Sequence, residues 1–253
     1  MIKFQKLNGV FGFLGVIVLW SLLSYPSLLD PIFLPTPTKV FNAAVHLFRY
    51  ENFLFDVGIT TWRVMVGFAL AALLAVPCGV AMATWKRFDY LFRPVAGFTR
   101  YLPVSAFIPL MILWLGIGFS QKVGIIFIGI FFHLAILCAD DCLRVPREII
   151  DSARVLGVDN IRLARKVIFP YSLPALFDDM RLMLGAAWTY LLLAELVAAN
   201  SGIGNMMIQS QRFLKTDRVI AGILVVGVIG LLSDISFRYF GKLMMPWAKI
   251  ENE

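Results

Sequence analysis

Long apolar runs, separated by shorter polar or proline-containing segments, make up the pattern of hydrophobic and polar positions along this chain. A helix needs about 20 mainly apolar residues to cross the hydrocarbon core of a bilayer, and the longest runs approach that length. The pattern therefore predicts an all-α membrane protein with about six transmembrane helices in a single transmembrane domain, residues 1–253. The predicted spans are residues 8–28, 62–84, 98–118, 121–142, 181–199 and 219–241.

Two segments between the spans are more than simple connections. Residues 29–61 contain three prolines, followed by a modestly amphipathic stretch at 38–50 that is expected to form a helix near the membrane surface. Residues 143–180 are polar, basic and helix-prone, and this segment far exceeds the usual loop of about 4–6 residues. A structured loop of this length is where a partner protein is expected to bind.

The distribution of positive charge predicts the orientation in the membrane. The chain has 23 Lys and Arg residues against 16 Asp and Glu, which gives a net charge of +7. With a cytoplasmic N-terminus, 16 of the 23 basic residues lie inside, and 7 lie outside or at the outer edge: Lys39, Arg49, Arg63, Lys122, Arg212, Lys215 and Arg218. This asymmetry follows the positive-inside rule, so the charge does not indicate a nucleic-acid partner. Both termini and residues 143–180 are then cytoplasmic, and residues 29–61 are periplasmic.

The composition supports lipid as the solvent. Apolar residues make up 60% of the chain and charged residues only 15%, whereas a soluble domain carries roughly a quarter charged residues. Cys138 and Cys142 share a helical face near His133, but no further His or Cys residues converge there, and no metal site is predicted. With His46 as the second histidine, on a different segment, an intramembrane enzyme is a poor alternative.

The long polar loop has the pattern of a helix, a break, a second helix and a stop. Gly157 permits a backbone conformation that other residues resist, which places the break. Asp159 or Asn160 can cap the helix that follows. Pro170 is expected to end that helix, and Pro174 is expected to prevent its immediate resumption.

This arrangement resembles the EAA loop of ABC importer permeases, in which Glu-Ala-Ala is followed by a glycine and then by a hydrophobic residue and a proline. Asp for Glu and Ser for the first Ala are the departures, and both keep charge or size. The resemblance implies that the loop docks on a separate ATPase. The residues expected to form that coupling surface are Asp151, Ser152, Ala153, Leu156, Gly157, Ile168 and Pro170.

Flanking segments extend the resemblance over about residues 15–242 and point to the nitrate, taurine, sulfonate and bicarbonate permease subfamily. What it implies is a type I ABC importer fold in a bacterial inner membrane, with the transmembrane helices forming an alternating-access pathway for a small anion or sulfonate. The similar segments are 33–37, 113–118, 194–199, 201–204 and 213–217.

The resemblance also implies partners: a second permease subunit, expected to be an identical copy, two ATPase subunits, and an outer binding protein that delivers the solute. The only Gly-Lys pair, Gly241-Lys242, lacks the remaining glycine and hydroxyl positions of a phosphate-binding loop. No cofactor is expected on this chain, because ATP and Mg²⁺ are expected on the ATPase. An ATP-independent secondary transporter or channel is the alternative, although it leaves the long basic loop unexplained.

Glu195 is the most informative single side chain, because a charge inside a span costs at least about 2.5–3.5 kcal/mol unless it faces a partner or a wet cavity. It is predicted to belong to the pathway or gate, with a hydrogen-bonded packing contact as the alternative. Trp188 and Trp114 are further candidates for the pathway. Pro103 and Pro109 are expected to kink the third span and free carbonyl groups that can line a cavity.

Overall fold

The computed structural model describes residues 2–26, 30–198 and 200–247, and these residues form helices joined by short connections, without a strand. The predicted all-α class is confirmed. The helices are α1 (Ile2–Ser24), α2 (Pro37–Tyr50), α3 (Phe53–Thr84), α4 (Lys86–Thr99), α5 (Ile108–Leu115), α6 (Phe119–Leu143), α7 (Arg147–Val155), α8 (Asn160–Leu163), α9 (Phe169–Val197), α10 (Ile203–Arg212) and α11 (Thr216–Met244).

Within the described residues, four continuous helices are long and apolar enough to cross a membrane: Phe53–Thr84, Phe119–Leu143, Asn160–Val197 and Thr216–Met244. Leu14–Ser24 is a shorter apolar helix within the first predicted span, 8–28, of which residues 27–28 lie outside the described part. Residue 199, the last of the predicted fifth span, also lies outside it.

The predicted third span, 98–118, is not one helix. α4 and the helical segment Val104–Leu115 meet at a bend of 92°. Pro103 has an extended backbone at this bend and precedes a 3₁₀ turn at Val104–Phe107. Because proline disfavours the helical conformation of the residue before it, the chain leaves the helix here instead of bending gently. Pro109, by contrast, lies in the first turn of α5. The N–H groups of a first turn have no acceptor within the helix, so a proline there costs no hydrogen bond.

The prediction that Pro170 stops the helix is wrong. The chain passes from α8 through a π-helical turn at Ala164–Ile168 directly into α9, so one helix runs from Asn160 to Val197. The Phe169 N–H donates to the carbonyl of Ala164, five residues back. This wider turn accommodates the proline ring, which would clash with the carbonyl four residues earlier in a regular α-helix. The predicted loop 143–180 is therefore helical and continuous with the following span from residue 160.

The chain forms two compact units, of which the first comprises the described parts of residues 1–59 and 200–228. In it α2 buries Val40, Ala43 and Leu47, spaced as one face of a helix. Thr36 caps α2 by accepting a hydrogen bond from the Lys39 N–H. These contacts order the proline-rich segment that the sequence predicted as a break.

The second unit comprises the described parts of residues 60–199 and 229–253, and α6 and α9 form its centre. Asp234 on α11 accepts hydrogen bonds from Arg238, one helical turn further on, and from Arg181 on α9. Gly79 on α3 lies against α6, and a Cβ atom there would stand 2.5 Å from Cys138 Cβ and 2.6 Å from the Ala135 carbonyl. The absence of a side chain at Gly79 therefore sets the approach of these two helices.

We expect Gly79→Ala to lower the free energy of unfolding by about 1–3 kcal/mol, because the added methyl group must displace backbone as well as side chain. Gly185→Ala on α9 is the matched control, since a Cβ atom there meets nothing within 4 Å. It should raise stability by roughly 0.5–1 kcal/mol through the lower backbone entropy of alanine. Unfolding midpoints in detergent measure both, and equal shifts would contradict the close approach.

Candidate functional site

The apolar side chains of the polar loop anchor it to α6 and α9. Ala153 on α7 is buried, as are Leu163 on α8 and Ile168 in the π turn. They pack in one cluster with Cys138 and Cys142 of α6, together with Val145 and Leu176. Side-chain packing therefore fixes the loop to α6 and α9.

The break in the loop is a Schellman motif. Gly157 has a φ of +77°, in the left-handed region that favours glycine. Its N–H donates to the Arg154 carbonyl at 2.9 Å, and the Val158 N–H donates to the Ala153 carbonyl at 3.1 Å. Asp159 then caps α8 by accepting from the Arg162 N–H at 2.8 Å. The predicted roles of Gly157 and Asp159 in the backbone are both confirmed.

The outer corner of this motif exposes apolar side chains. Val155 is 87% exposed and Leu156 is 83% exposed. Asp151 and Ser152 are also exposed on α7, where the Ser152 hydroxyl donates to the Glu148 carbonyl at 2.6 Å. Two large aliphatic side chains held on a rigid, polar corner form a small interaction surface. The predicted coupling residues thus form two groups. One is this exposed corner. The other is a buried base formed by Ala153 and Ile168, with the half-buried Pro170 in the first turn of α9.

A second group of functional candidates surrounds Glu195, which is fully buried on α9. Arg63 Nη1 lies 2.6 Å from Glu195 Oε1, and the Thr60 hydroxyl lies 3.1 Å from each carboxylate oxygen. Removing two charges from water is expensive, and only good geometry with additional hydrogen bonds compensates for it. These contacts supply both. The carboxylate is neutralised in place by residues of α3.

Lys122 lies close to this group and is 1% exposed. Its ammonium donates to the Ala198 carbonyl at 2.9 Å and to the Gly118 carbonyl at 3.2 Å. Ala198 is the C-terminal cap of α9, where the carbonyl groups carry partial negative charge and favour a cation. The ammonium therefore ties the start of α6 to the end of α9.

The charge distribution predicts that Arg63 and Lys122 lie outside or at the outer edge of the membrane, and the structure buries both side chains. No sequence pattern singles out Thr60. The available signal was the position of Arg63 immediately after the start of an apolar run, where an ionisable group requires a partner of opposite charge. The pairing of this residue with Glu195, which lies 132 positions further along the chain, depends on tertiary structure.

The four predicted pathway residues fall into two pairs. On α9, Trp188 is buried like Glu195, and its Nε1 has no hydrogen-bond partner among the described residues. On α5, Trp114 is 63% exposed, and Pro109 is exposed as well. Their membership of a pathway stays a prediction.

Several hydrophobic helices that can span a bilayer, one of them bent, together with a structured polar loop define an integral membrane protein of the transport class. Residues 75–245 match the family described as "Binding-protein-dependent transport system inner membrane component", and the chain belongs to this family. It is the permease subunit of an ABC importer and a multi-pass membrane protein.

Individual relatives agree with this assignment. The chain is 31% identical to the taurine transport system permease protein TauC of Escherichia coli, over 93% of this chain and 88% of that protein. It is 26% identical to the bicarbonate transport system permease protein CmpB of a Synechocystis species, over 95% and 89% of the two chains. A structure of the MetNI methionine ABC transporter in an inward-facing conformation shares the fold, with a TM-score of 0.69 at 18% identity over 76% and 95% of the chains. The fold is thus that of type I ABC importer permeases.

We expect a double-mutant cycle of Glu195→Gln and Arg63→Met to show a large coupling energy. Each single substitution removes the opposite charge from a buried ion and should destabilise the protein by about 3–5 kcal/mol, whereas the double variant should recover part of that loss. The measurement is the free energy of unfolding of the four proteins in detergent.

The partly exposed pair Glu51–Arg218, with 2.7 Å between Oε1 and Nη2, provides the control. Its cycle with Glu51→Gln and Arg218→Gln should give at most about 1 kcal/mol of coupling. If the two cycles give the same coupling energy, the buried pair has no special structural role.

Proposed function

We propose that this permease imports a small organic or inorganic oxyanion, of the taurine, alkylsulfonate or bicarbonate class. The support is the agreement of relatives named for taurine and for bicarbonate transport, each aligned over most of both chains. Sulfonate and bicarbonate share a compact, oxygen-rich, negatively charged head. The permease does not require a strong site for it, because a binding protein outside the membrane selects the solute and delivers it.

The single observation that carries the coupling part of the proposal is the exposed corner at Val155 and Leu156. These side chains insert into a groove of the ATPase, and the exposed arginines of α7 and α8, Arg147, Arg154 and Arg162, provide a polar rim. An apolar centre with a charged rim is the usual composition of a protein interface. ATP and Mg²⁺ bind to that ATPase, and the present chain contributes no residue to the hydrolysis.

The continuous helix from Asn160 to Val197 is the route by which the ATPase acts on the pathway. It has 38 residues, which corresponds to about 57 Å at 1.5 Å per residue and exceeds the hydrocarbon thickness of about 30 Å. The coupling corner is next to its first turn, and Glu195 is in its last turn. When nucleotide binding closes the ATPase dimer, the part of the helix after the π turn moves as a unit, and the π turn at Ala164–Ile168 is the point at which it flexes relative to α8.

The assembly we propose contains two copies of this chain, two ATPase subunits and one binding protein. Both termini and the coupling corner lie in the cytoplasm, as the distribution of Lys and Arg predicts. In this arrangement Glu195 with Arg63, and Trp188 on the same helix, contribute to the gate at the opposite end of α9.

We expect Leu156→Asp to abolish recruitment of the ATPase encoded beside this gene, because an aspartate cannot enter an apolar groove without losing its hydration. Asp151→Arg should weaken recruitment through reversed charge. Gly157→Pro should do the same, because it removes the N–H that closes the Schellman motif and forbids its positive φ. Co-purification of the two subunits followed by ATP hydrolysis in proteoliposomes measures these effects.

Phe213→Asp is the matched control, since Phe213 is 72% exposed and lies after α10, outside the loop. It makes the same apolar-to-acidic change and should leave ATPase recruitment unchanged. If Leu156→Asp and Phe213→Asp recruit the ATPase equally well, the corner is not the docking surface. If solute crosses the membrane without any ATPase, the secondary-transporter alternative takes first place.

A further inference from the structure

A cavity of about 280 Å³ lies at the 92° bend between α4 and α5, inside the second unit. Its walls come from the bend, from α6 and from α9. Pro103 at the bend and Val104 after it form one side, and Ile128 of α6 forms another. The side chains that give it chemical character are Arg100, Tyr101, Phe107, Phe132, His133 and Tyr190.

The polar side chains of this cavity are hydrogen-bond donors. Arg100 is the one charged side chain among the described residues that line it, and no carboxylate lines it. The Arg100 guanidinium donates through Nη2 to the Tyr101 hydroxyl at 3.0 Å and lies 5.0 Å from the centre of that ring. The Arg100 side chain is exposed at the cavity, and no other hydrogen bond of its guanidinium is found among the described residues, which leaves four of its five N–H groups open to a ligand or to solvent.

Arg100 differs in this respect from the arginines that lie within the spans. Arg63 is paired with Glu195, and Arg181 and Arg238 are paired with Asp234. Arg100 has no carboxylate within ion-pair distance in the described part of the chain. In addition, neither His133 nor the Tyr190 hydroxyl has a hydrogen-bond partner among the described residues. Three groups able to donate to an anion therefore line one cavity, and no carboxylate among the described lining residues competes for them.

Packing fixes the shape of the cavity. Tyr190 lies against Gly129 so closely that a Cβ atom at that position would stand 2.6 Å from the ring. Tyr190, Val104 and Ile128 pack on the buried cluster formed by Ile108, Met111, Ile125 and Ala194. The tyrosine is thus held in place by its surroundings, and its hydroxyl is directed by the fold. Sites of this kind combine apolar walls with a few fixed polar groups.

We infer that this cavity is a transit site for the oxyanion head of the imported solute, bound by the Arg100 guanidinium with Tyr190 and His133. The inference rests on the function proposed above and deepens it. Guanidinium groups form the strongest charge-assisted hydrogen bonds with planar or tetrahedral oxyanions. The cavity volume of about 280 Å³ is large enough to admit a small solute.

The same arrangement removes a difficulty with Glu195. A free carboxylate on α9 would repel an anion, yet this one is buried and bound by Arg63. Glu195 lies five residues beyond Tyr190, about 7.5 Å along the helix axis. An anion in the cavity therefore meets the positive field of Arg100, while the negative charge of Glu195 is compensated.

The test uses the full complex with its ATPase and binding protein in proteoliposomes, and measures ATP-dependent uptake of labelled taurine, ethanesulfonate and bicarbonate. We expect Arg100→Gln to lower uptake at least tenfold, Arg100→Lys to recover much of the loss, and Tyr190→Phe to lower uptake severalfold. Arg87→Gln is the matched control, because it removes the same charge from α4 outside the cavity, and its uptake should stay within twofold of the native protein.

A second readout separates binding from folding. Equilibrium binding of ethanesulfonate to the detergent-solubilised complex without binding protein should weaken at least fivefold in Arg100→Gln, with ATPase recruitment unchanged. If that variant fails to assemble, Tyr190→Phe decides, since it removes one hydroxyl and keeps the packed ring. Uptake and binding equal to those of the native protein in Tyr190→Phe, or in an assembled Arg100→Gln, overturn the inference.

The two proposals fail in different ways. A native complex that hydrolyses ATP but imports none of the three anions contradicts the proposed function itself. A native complex that imports one of them, with an Arg100→Gln variant as active as Arg87→Gln, contradicts the transit site alone. Binding that persists in the variant but is displaced by short-chain phosphatidylglycerol shows a lipid site, and it also overturns the inference.

Discussion

Backbone hydrogen bonding in a solvent without water is the constraint on which this structure depends. Lipid offers no partner to an exposed N–H or C=O group, so the chain must satisfy its backbone internally, and helices do this segment by segment. Every interruption of a helix then needs a local replacement. At Pro170 the replacement is a π turn, in which the Phe169 N–H reaches the Ala164 carbonyl. At Pro103 the chain instead bends by 92° next to a cavity. The helix thus continues through Pro170, whereas the bend at Pro103 leaves room for a cavity.

Charged groups inside the protein follow a related rule. Glu195, Arg63 and Lys122 are buried at 0%, 7% and 1% exposure, and each is held by hydrogen bonds to a side chain or to a helix-terminal carbonyl. These three residues join α3, α6 and α9. They fix the positions of the helices relative to one another, because a shift of one helix by one residue would leave a buried ion without its partner. Arg100 stands apart because its guanidinium has a neutral phenol as its partner. Fixed and fully paired charges stabilise a state, whereas an under-paired charge beside a cavity can bind a ligand.

The sequence predicted those features that depend on local patterns. Four of the six predicted spans follow from apolar runs as continuous helices, the Schellman corner follows from Gly157, and the cap follows from Asp159. The failures are equally physical. Pro170 was predicted to end a helix because proline removes one hydrogen bond, but a wider turn retains the helix. The packing of Ile168 and Leu176 against α6 stabilises that turn, and the sequence alone does not show this packing. The partner of Glu195 and the cavity beside Arg100 both require contacts between distant segments, which periodicity does not report.

These observations together explain how a single chain can combine rigidity with movement. The cluster around Cys138 fastens the exposed corner of the loop to α6, and in the proposed mechanism the continuous helix Asn160–Val197 carries a displacement of that corner across the membrane. At the far end, the Arg63–Glu195 pair ties the same helix to α3, so a rotation of α9 must either carry α3 along or break the pair. Because breaking it costs several kcal/mol, concerted motion is favoured. Tyr190 lies between these two fixed ends on the same helix. In the proposed mechanism, a concerted movement of α9 changes the position of the Tyr190 hydroxyl relative to Arg100, and this change would couple the affinity of the cavity to the ATPase.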